Sequence, residues 1–392
     1  MPWSQTSPMD QKVQFIADYL RDTLSMVELC AGYGISRKTG YKWIDRYLHD
    51  GPEGLEDRSR RPERNPNQTP VKIEATIIQA RQRHPTWGAK KLLTLLTKRH
   101  PGWPWPSRTT VCNILRRNGL VTGKKRRRVI GHPGQPTTEA TGANDLWCAD
   151  YKGQFKTGNG IYCYPLTVTD THSRYIIGCQ GLTGTKFIDA QTVFTRLFKE
   201  YGLPRRIRTD NGTPFASYSL GRLSRLSAWW LKLGIIPEFI EPGKPQQNGK
   251  HERMHRTLKA ETTKPPARNL QAQQRKFNRF VTEFNHVRPH EALDMATPAS
   301  LYQSSNRKMP TRLVPFEYPD RFVTRYVSGN GGFRWHHQWV CVSMACVGEY
   351  LGLEEIDDGI WNAYFGPLKL GRFHERLLRI EDQYGRLRRR RK

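Results

Sequence analysis

Apolar residues recur every three or four positions through the first third of the chain and switch to alternation near Asp145, so helices give way to strands there. Residues 11–49 read as three helices, Lys12 to Leu20, Ser25 to Ala31 and Ser36 to Leu48. The turn Gly32-Tyr33-Gly34-Ile35 precedes the third, and Ser36 caps it, which is the helix-turn-helix pattern. Trp43, Ile44 and Tyr47 fall inward, leaving Arg37, Lys38, Tyr41 and Lys42 on the first turns to meet DNA. An ordinary helical hairpin is the alternative. A Pro-, Arg- and Gly-rich linker (51–70) leads to a second helical module (71–122), built from Val71 to Arg83, Gly88 to Arg99 and Ser107 to Asn118. Its third helix offers Arg108, Thr109 and Thr110 to a base edge.

Beyond Asp145 the expected strands are Leu146 to Lys152, Ile161 to Asp170, Arg174 to Leu182, Arg205 to Thr209 and Ile235 to Ile240. Helices at Lys186 to Tyr201, Leu220 to Leu233 and Gly249 to Ala260 interleave with them, and Arg275 to Asn285 adds another. The order β-β-β-α-β-α-β-α is that of an RNase H-like fold. The expected chain is therefore multidomain: a helix-turn-helix domain (1–50), a second helical DNA-binding domain (71–122), a basic linker (123–140), an α/β RNase H-like catalytic core (141–302), a small C-terminal all-β barrel (320–380) and a basic tail (386–392). Trp335 to Val347 and Gly359 to Phe365 are the barrel's clearest β runs.

Composition narrows the partner. The formal charge is +29, spread as +14 over residues 1–130, +9 over 131–300 and +6 over 301–392, which suits a protein that tracks an extended polyanion. The run Lys124-Lys125-Arg126-Arg127-Arg128 reads as a phosphate-binding arm. No apolar stretch approaches membrane-span length and residues 1–11 lack a signal-peptide pattern, so no membrane association and a bacterial cytoplasmic or nucleoid location are expected. The 7 cysteines are scattered without Cys-x-x-Cys spacing and read as buried thiols.

Candidate chemistry lies in three acidic residues, Asp150 and Asp210 at strand ends and Glu252 at the start of a helix. Hard carboxylate oxygens suit Mg²⁺ or Mn²⁺, which keep positions open for water and phosphate. Two competing motifs carry less. His251-Glu252-Arg253-Met254-His255 matches a zinc-protease pattern, but it lacks a third ligand downstream, and its histidines are expected to face solvent or DNA. Gly243 to Lys250 has one residue too many for a P-loop and is followed by His251. Asp170 is expected to fix the turn to Arg174, and Trp147, Trp229 and Trp230 to lie in the core.

Trp147-x-x-Asp150-Tyr-Lys, Thr169-Asp170-x-x-Ser173-Arg174-Tyr175, Thr209-Asp210-Asn211-Gly212-x-x-Phe215 and Pro245-Gln-Gln-Asn-Gly-Lys-x-Glu252-Arg253 together resemble the catalytic core of DDE insertion-sequence transposases and retroviral integrases. Asn285-x-x-Arg288-Pro289-His290 and Thr297-Pro298 match its bacterial members. The resemblance covers residues 140–302. It implies that Asp150, Asp210 and Glu252 hold two divalent ions, Mg²⁺ or Mn²⁺, for hydrolysis at double-stranded DNA ends and for strand transfer, with Lys250 and Arg253 beside the DNA. Joining two ends implies a homo-oligomer, at least a dimer. The 41 residues between Asp210 and Glu252 exceed the compact spacing of that superfamily, and a longer helix is expected to absorb them. Helix-turn-helix units in place of a His/Cys zinc module favour a transposase over a viral enzyme. A regulatory or domesticated DNA-binding protein is the alternative.

Overall fold

A computed structural model describes residues 7–59, 68–121, 138–241, 243–382 and 385–387, so the basic run Lys124 to Arg128 and residues 388–392 lie outside the described residues. Two compact units, Met1–Thr69 and Pro70–Lys392, divide the chain.

In the first unit, α1 (Pro8–Leu20), α2 (Met26–Gly32) and α3 (Arg37–Asp50) each begin at a serine. Ser7, Ser25 and Ser36 accept from the backbone N–H of Asp10, Glu28 and Thr39, satisfying a donor that a helix end otherwise leaves open, worth about 1 kcal/mol each. Asp10 and Glu28 return the bond to their serines. Phe15, Ile16, Leu29, Cys30, Ile44 and Leu55 form the core. Gly40 permits the close crossing of α2 and α3, since a Cβ there would stand 2.6 Å from Cys30 Sγ and Met26 Cε. Arg37, Lys38, Tyr41 and Lys42 are all exposed on α3.

The second unit starts with α4 (Val71–Arg83), α5 (Ala89–Arg99) and α6 (Arg108–Arg117), packed around Ile77, Trp87, Leu92 and Val111. A mixed sheet and its helices follow: β1 (Leu146–Tyr151), β2 (Phe155–Lys156), β3 (Tyr162–Asp170), β4 (Ile176–Leu182), α7 (Phe187–Tyr201), β5 (Arg206–Thr209), α8 (Arg225–Lys232), β6 (Ile236–Phe239), α9 (Gly249–Thr262) and α10 (Leu270–His286). The sheet runs β4–β3–β1–β5–β6, antiparallel through β1 and parallel beyond it, with β2 also paired to β3. Strand alternation sorts the side chains. Trp147, Ala149, Leu166, Val168 and Ile207 meet α7 and α8, while Cys163, Ile176 and Cys179 meet Met254 and Leu258 of α9 and the phenylalanines of α10. Trp147 and Trp230 are fully buried.

Two amides of α10 occupy the outer edge of β4. Asn285 accepts from Ile176 N and donates to Ile176 O, and Gln274 does the same with Gly181 N and Cys179 O. An edge satisfied in this way offers no template for another strand.

The α4–α6 module is docked on α9 and α10. Trp87 is completely buried, the Arg288 guanidinium lies 5.6 Å from its ring centroid, and Arg288 pairs with Glu261 at 2.8 Å. His84 contacts Glu283 at 2.8 Å, and Thr86 donates to Glu261.

The remaining strands are β7 (Val323–Tyr326), β8 (Gly332–Trp335), β9 (Gln338–Cys341), β10 (Tyr350–Asp357), β11 (Ile360–Phe365), β12 (Leu368–His374) and β13 (Arg379–Glu381). They correct two expectations. The run from Trp335 is cut by a tight turn in which His336 and His337 are both left-handed, with φ 43° and 65°. In place of a closed barrel there is a five-stranded antiparallel sheet, β13–β12–β11–β10–β7, with the hairpin β8–β9 packed on it; the end strands do not pair with each other among the described residues.

The extra length after Asp210 is not a longer helix. Leu220–Arg222 makes a single 3₁₀ turn broken by Gly221 at φ 62°, and α8 begins afresh from a Ser224 cap. The reason lies in the C-terminal core, which takes in Leu220, Leu223, Ala228 and Leu231. Lys232 is also ion-paired to Glu349.

Truncating Arg288 to alanine would strand a mostly buried Glu261 and uncover Trp87. The variant is expected to lose about 3 kcal/mol in urea denaturation, and a loss under about 1 kcal/mol would show that the ion pair does not hold the module to the core.

Candidate active site

Asp150 stands near the end of β1, opposite Thr167 of β3, and shares with Cys148 the strand face turned toward α9. Asp210 follows β5 directly, and its Oδ1 accepts from Gly212 N at 3.1 Å. Asn211 ties the same loop to its surroundings, donating to Ile240 O and accepting from Arg222. Glu252 lies in the first turn of α9, exposed at a cavity of 760 Å³ that Arg174, Arg208, Lys250, Arg253 and Arg256 also line.

Asp150 registers the other two acids. Burial pushes its carboxyl up to about 7, the charge of Asp210 adds to this, and Glu252 contributes in the same direction, against the Tyr151 N–H and Lys152. The residues therefore crowd negative charge at one half-buried carboxylate.

The histidines of α9 depart from expectation. His251 and His255 are buried, at 2% and 4% exposure, and face the sheet. Thr167 Oγ1 lies 2.8 Å from His251 Nε2 and 2.6 Å from His255 Nε2, and Thr169 Oγ1 lies 2.8 Å from His251 Nδ1. The remaining ring nitrogen, His255 Nδ1, is 3.6 Å from Asp150 Oδ2. Spacing of i and i+4 put both rings on one helix face, but the apolar Met254 and Leu258 set which way that face turns. Burial holds both rings neutral, taking His251 down to about 3 and His255 further, with Lys152 reinforcing the effect. Asp150, His251 and His255 bring one ligand atom each within 4.8 Å of the others. Threonine hydroxyls engage three of the four ring nitrogens, so the histidines serve mainly to tie α9 to β3.

Arg208 went unnoticed in the sequence. It is 3% exposed, pairs with Glu238 at 2.7 Å, and donates to Thr138 O at 2.6 Å and Gln247 O at 3.3 Å, so it anchors the loop leading into α9. Gln247 closes that loop on Glu241 through two bonds of 2.8 Å. Its separation by two from Asp210 was the available signal, because strand parity turns both positions to one face. Asp170 is fully buried and takes up Asn144 N, Ser173 N and Ser173 Oγ, fixing the turn that presents Arg174 at φ 65°.

Arg108 and Thr109 are exposed at the start of α6, whereas the Thr110 hydroxyl sits 3.0 Å from Ser107 Oγ within the helix cap. Lys250 and Arg253 border the Glu252 cavity. No helix among the described residues is long and apolar enough to cross a membrane.

Two models of the integrase core domain match residues 140–245 and 233–298. Helix-turn-helix and homeodomain-like models match residues 11–63 and 39–115. An uncharacterized 39.2 kDa protein of insertion element IS476 from Xanthomonas euvesicatoria is 26% identical over 260 residues, 62% of this chain and 68% of its own length. A 31.7 kDa protein of insertion element IS407 from Burkholderia multivorans is 26% identical over 211 residues, 48% of this chain and 66% of its own. The chain thus carries matches to the integrase core domain and to helix-turn-helix domains, and it resembles proteins of bacterial insertion elements. Among solved structures, the HTLV-2 integrase catalytic core domain in complex with magnesium aligns at 17% identity over 42% of this chain and 100% of its own, with a TM-score of 0.34.

The Asp150 shift has a measurable consequence. Its folded-state carboxyl titrates near 7 against 3.8 for a free one, so folding takes up a proton between these values and stability falls as pH rises through them. Asp150→Asn removes that cost. Without divalent metal, the variant is expected to be more stable than the parent at pH 8 by up to about 4 kcal/mol, with the advantage shrinking toward pH 4. An equal advantage at both pH values in chelator-containing thermal melts would show that ionisation of Asp150 is not its source.

Proposed function

We propose that this protein is a DNA transposase that binds the ends of a mobile element and carries out divalent-metal-dependent strand cleavage and strand transfer at Asp150, Asp210 and Glu252. The observation that carries the reading is the charge crowded at Asp150: burial, and then the charges of Asp210 and Glu252, push its carboxyl up to about 7, and carboxylates gathered in this way are a donor set suited to a hard divalent cation. Mg²⁺ fits, with Mn²⁺ as a substitute, and two ions there would activate the attacking oxygen and stabilise the leaving one in an in-line displacement. Asp150 supplies a carboxylate from the sheet, Asp210 one from the latched loop after β5, and Glu252 one from α9. The His251–Thr167–His255 contacts and the Arg208 anchor hold α9 and its entry loop in place, so that Glu252 is presented from a fixed backbone. Lys250 and Arg253 meet the phosphates. Arg37, Lys38, Tyr41, Lys42, Arg108 and Thr109 would read or grip the element ends, and the basic run Lys124 to Arg128 would add backbone contacts.

Cleavage and joining are separable from binding. Alanine at Asp150, Asp210 or Glu252 is expected to abolish strand transfer on the element's own ends in Mg²⁺, a drop of at least a hundredfold, while duplex affinity in a mobility-shift titration stays within about threefold. Strand transfer that persists in Glu252→Ala would remove this residue from the site. A parent chain that binds the ends specifically but never cuts them would favour the regulatory DNA-binding reading.

Two ends joined to one target need two active sites, and each chain carries one set of acids, so the working form is at least a dimer on DNA, in the bacterial cytoplasm or nucleoid. An end held by the helix-turn-helix of one subunit is expected to be processed by the core of another. Full-length Asp150→Ala mixed with a full-length Arg37→Ala/Lys38→Ala/Lys42→Ala variant should then recover strand transfer that neither shows alone. No recovery in the mixture would mean that binding and catalysis act within one chain.

A further inference from the structure

A cavity of 370 Å³ lies where the α4–α6 module meets the core, walled by Lys91 of α5, the turn after β3, the first turns of α9 and the segment after α10. It shares Cys148, Thr171, Arg174, Lys250 and Arg253 with the larger cavity onto which Glu252 opens, so the two form one continuous trough. Its cations differ sharply in how they are satisfied. Arg288 and Arg208, in the same walls, are mostly buried and each is paired with a glutamate, at 2.8 Å and 2.7 Å. Lys91, Arg174, Lys250 and Arg253 form no ion pair or side-chain hydrogen bond with another described residue.

Folding alone does not account for such a cluster. Gathering cations of one sign costs free energy, and here the cost is visible on Lys91, Arg174 and Lys250. Burial and then the charge of Arg288 bring Lys91 down to about 8, burial and then Arg253 lower Arg174, and burial and then Arg174 lower Lys250. Arg174 is also held in a left-handed conformation by a turn whose buried Asp170 has every bond committed to backbone and Ser173. The nearby acids offset the cluster only in part: Asp170 is spent on that turn and Glu261 on Arg288 and Thr86, while Glu291 and Glu139 in the cavity walls act on Lys91 and Lys250 from a distance without pairing with them. An anion would satisfy all four groups. The row extends from the helical module to the edge of the acidic site, which matches an extended polyanion better than a compact one.

We propose that Lys91, Arg174, Lys250 and Arg253 form a phosphate-binding trough, built jointly by the α4–α6 module and the core, that seats the backbone of a DNA strand and leads it to Glu252, Asp150 and Asp210. This rests on the reading above that the substrate is DNA. It adds that the module, besides exposing Arg108, completes the strand's path through Lys91, so that its docking by Arg288 and Trp87 is part of the substrate site.

The test uses the full chain carrying Lys91→Met and Arg174→Gln, neither of which belongs to the acidic set or to the exposed face of Arg37, Lys38, Tyr41 and Lys42. Duplex binding is titrated across a salt series, thermal stability is measured without DNA, and Asp150→Ala serves as the comparison. Loss of the trough is expected to lower the slope of log K against log salt by about 0.9 for each phosphate that is no longer neutralised, with a Tm unchanged or raised because unpaired like charges have been removed. An unchanged slope overturns the proposal, and so does a lowered Tm, which would make the cluster structural. Protection of the parent alone by inorganic pyrophosphate, with equal DNA slopes, would assign the trough to a free anion and overturn it as well. If Asp150→Ala and the parent both fail to bind duplex at any salt, the DNA reading itself fails and the trough falls with it. If they bind alike and only the double variant is weakened, both stand.

Discussion

A β-strand sends successive side chains to opposite faces, and on β1 that alternation places a carboxylate in the interior. Trp147 and Ala149 go to the α7–α8 core, so Cys148 and Asp150 must face α9. A slip of one residue against β3 would exchange the two sets, putting Trp147 under the polar helix and Asp150 among phenylalanines. The apolar mass of Trp147, Leu166 and Val168 on one face therefore fixes where the chemistry can occur on the other. Pairing of Asp150 with Thr167 brings the Asp150 backbone carbonyl to the same threonine hydroxyl that meets both histidines, and His255 Nδ1 then stands 3.6 Å from the carboxylate.

The helix α9 divides its charges by face. Met254, Leu258, His251 and His255 turn to the sheet, and the rings stay neutral because burial would make a cation there costly. Lys250, Glu252, Arg253 and Arg256 turn outward to the cavity. Negative potential gathers where Asp150 lies and positive potential along the trough. That polarity suits a polyanion whose backbone lies in the trough and whose reacting phosphate reaches the acids.

Local signals were legible in the chain and tertiary choices were less so. Serine caps, the glycine turn before α3 and the switch in period are properties of neighbouring residues, and Ser36 and Ser107 cap helices as expected, whereas the caps at Ser7 and Ser224 went unread. The three acidic positions could be named because each sits at the end of an element whose type was clear. The orientation of His251 and His255 could not, since their spacing is equally compatible with a solvent face and a buried one. The helix expected over Leu220 to Leu233 shows the same limit from another side. Its apolar spacing is helical, but Leu220 and Leu223 are claimed by a sheet about a hundred residues later in the chain.

That claim also explains the long interval between Asp210 and Glu252. The leucines of the insertion supply apolar surface to the C-terminal sheet, while the geometry of the acidic site depends only on where β5 ends and α9 begins. Arg208 fixes the second of these by binding Gln247 O from the strand that carries Asp210. Once both ends of the interval are anchored, lengthening the segment between them costs little, because the entropy of loop closure rises only with the logarithm of its length. Spacing in sequence is thus decoupled from spacing in the site, and the chain can use the interval to attach a domain without moving a carboxylate of the proposed triad. The α4–α6 module shows the complementary solution, joined to the core through Trp87, Arg288 and Glu261 at the far ends of α9 and α10. Both additions are joined to the core through elements other than β1, so neither attachment needs Asp150 to move.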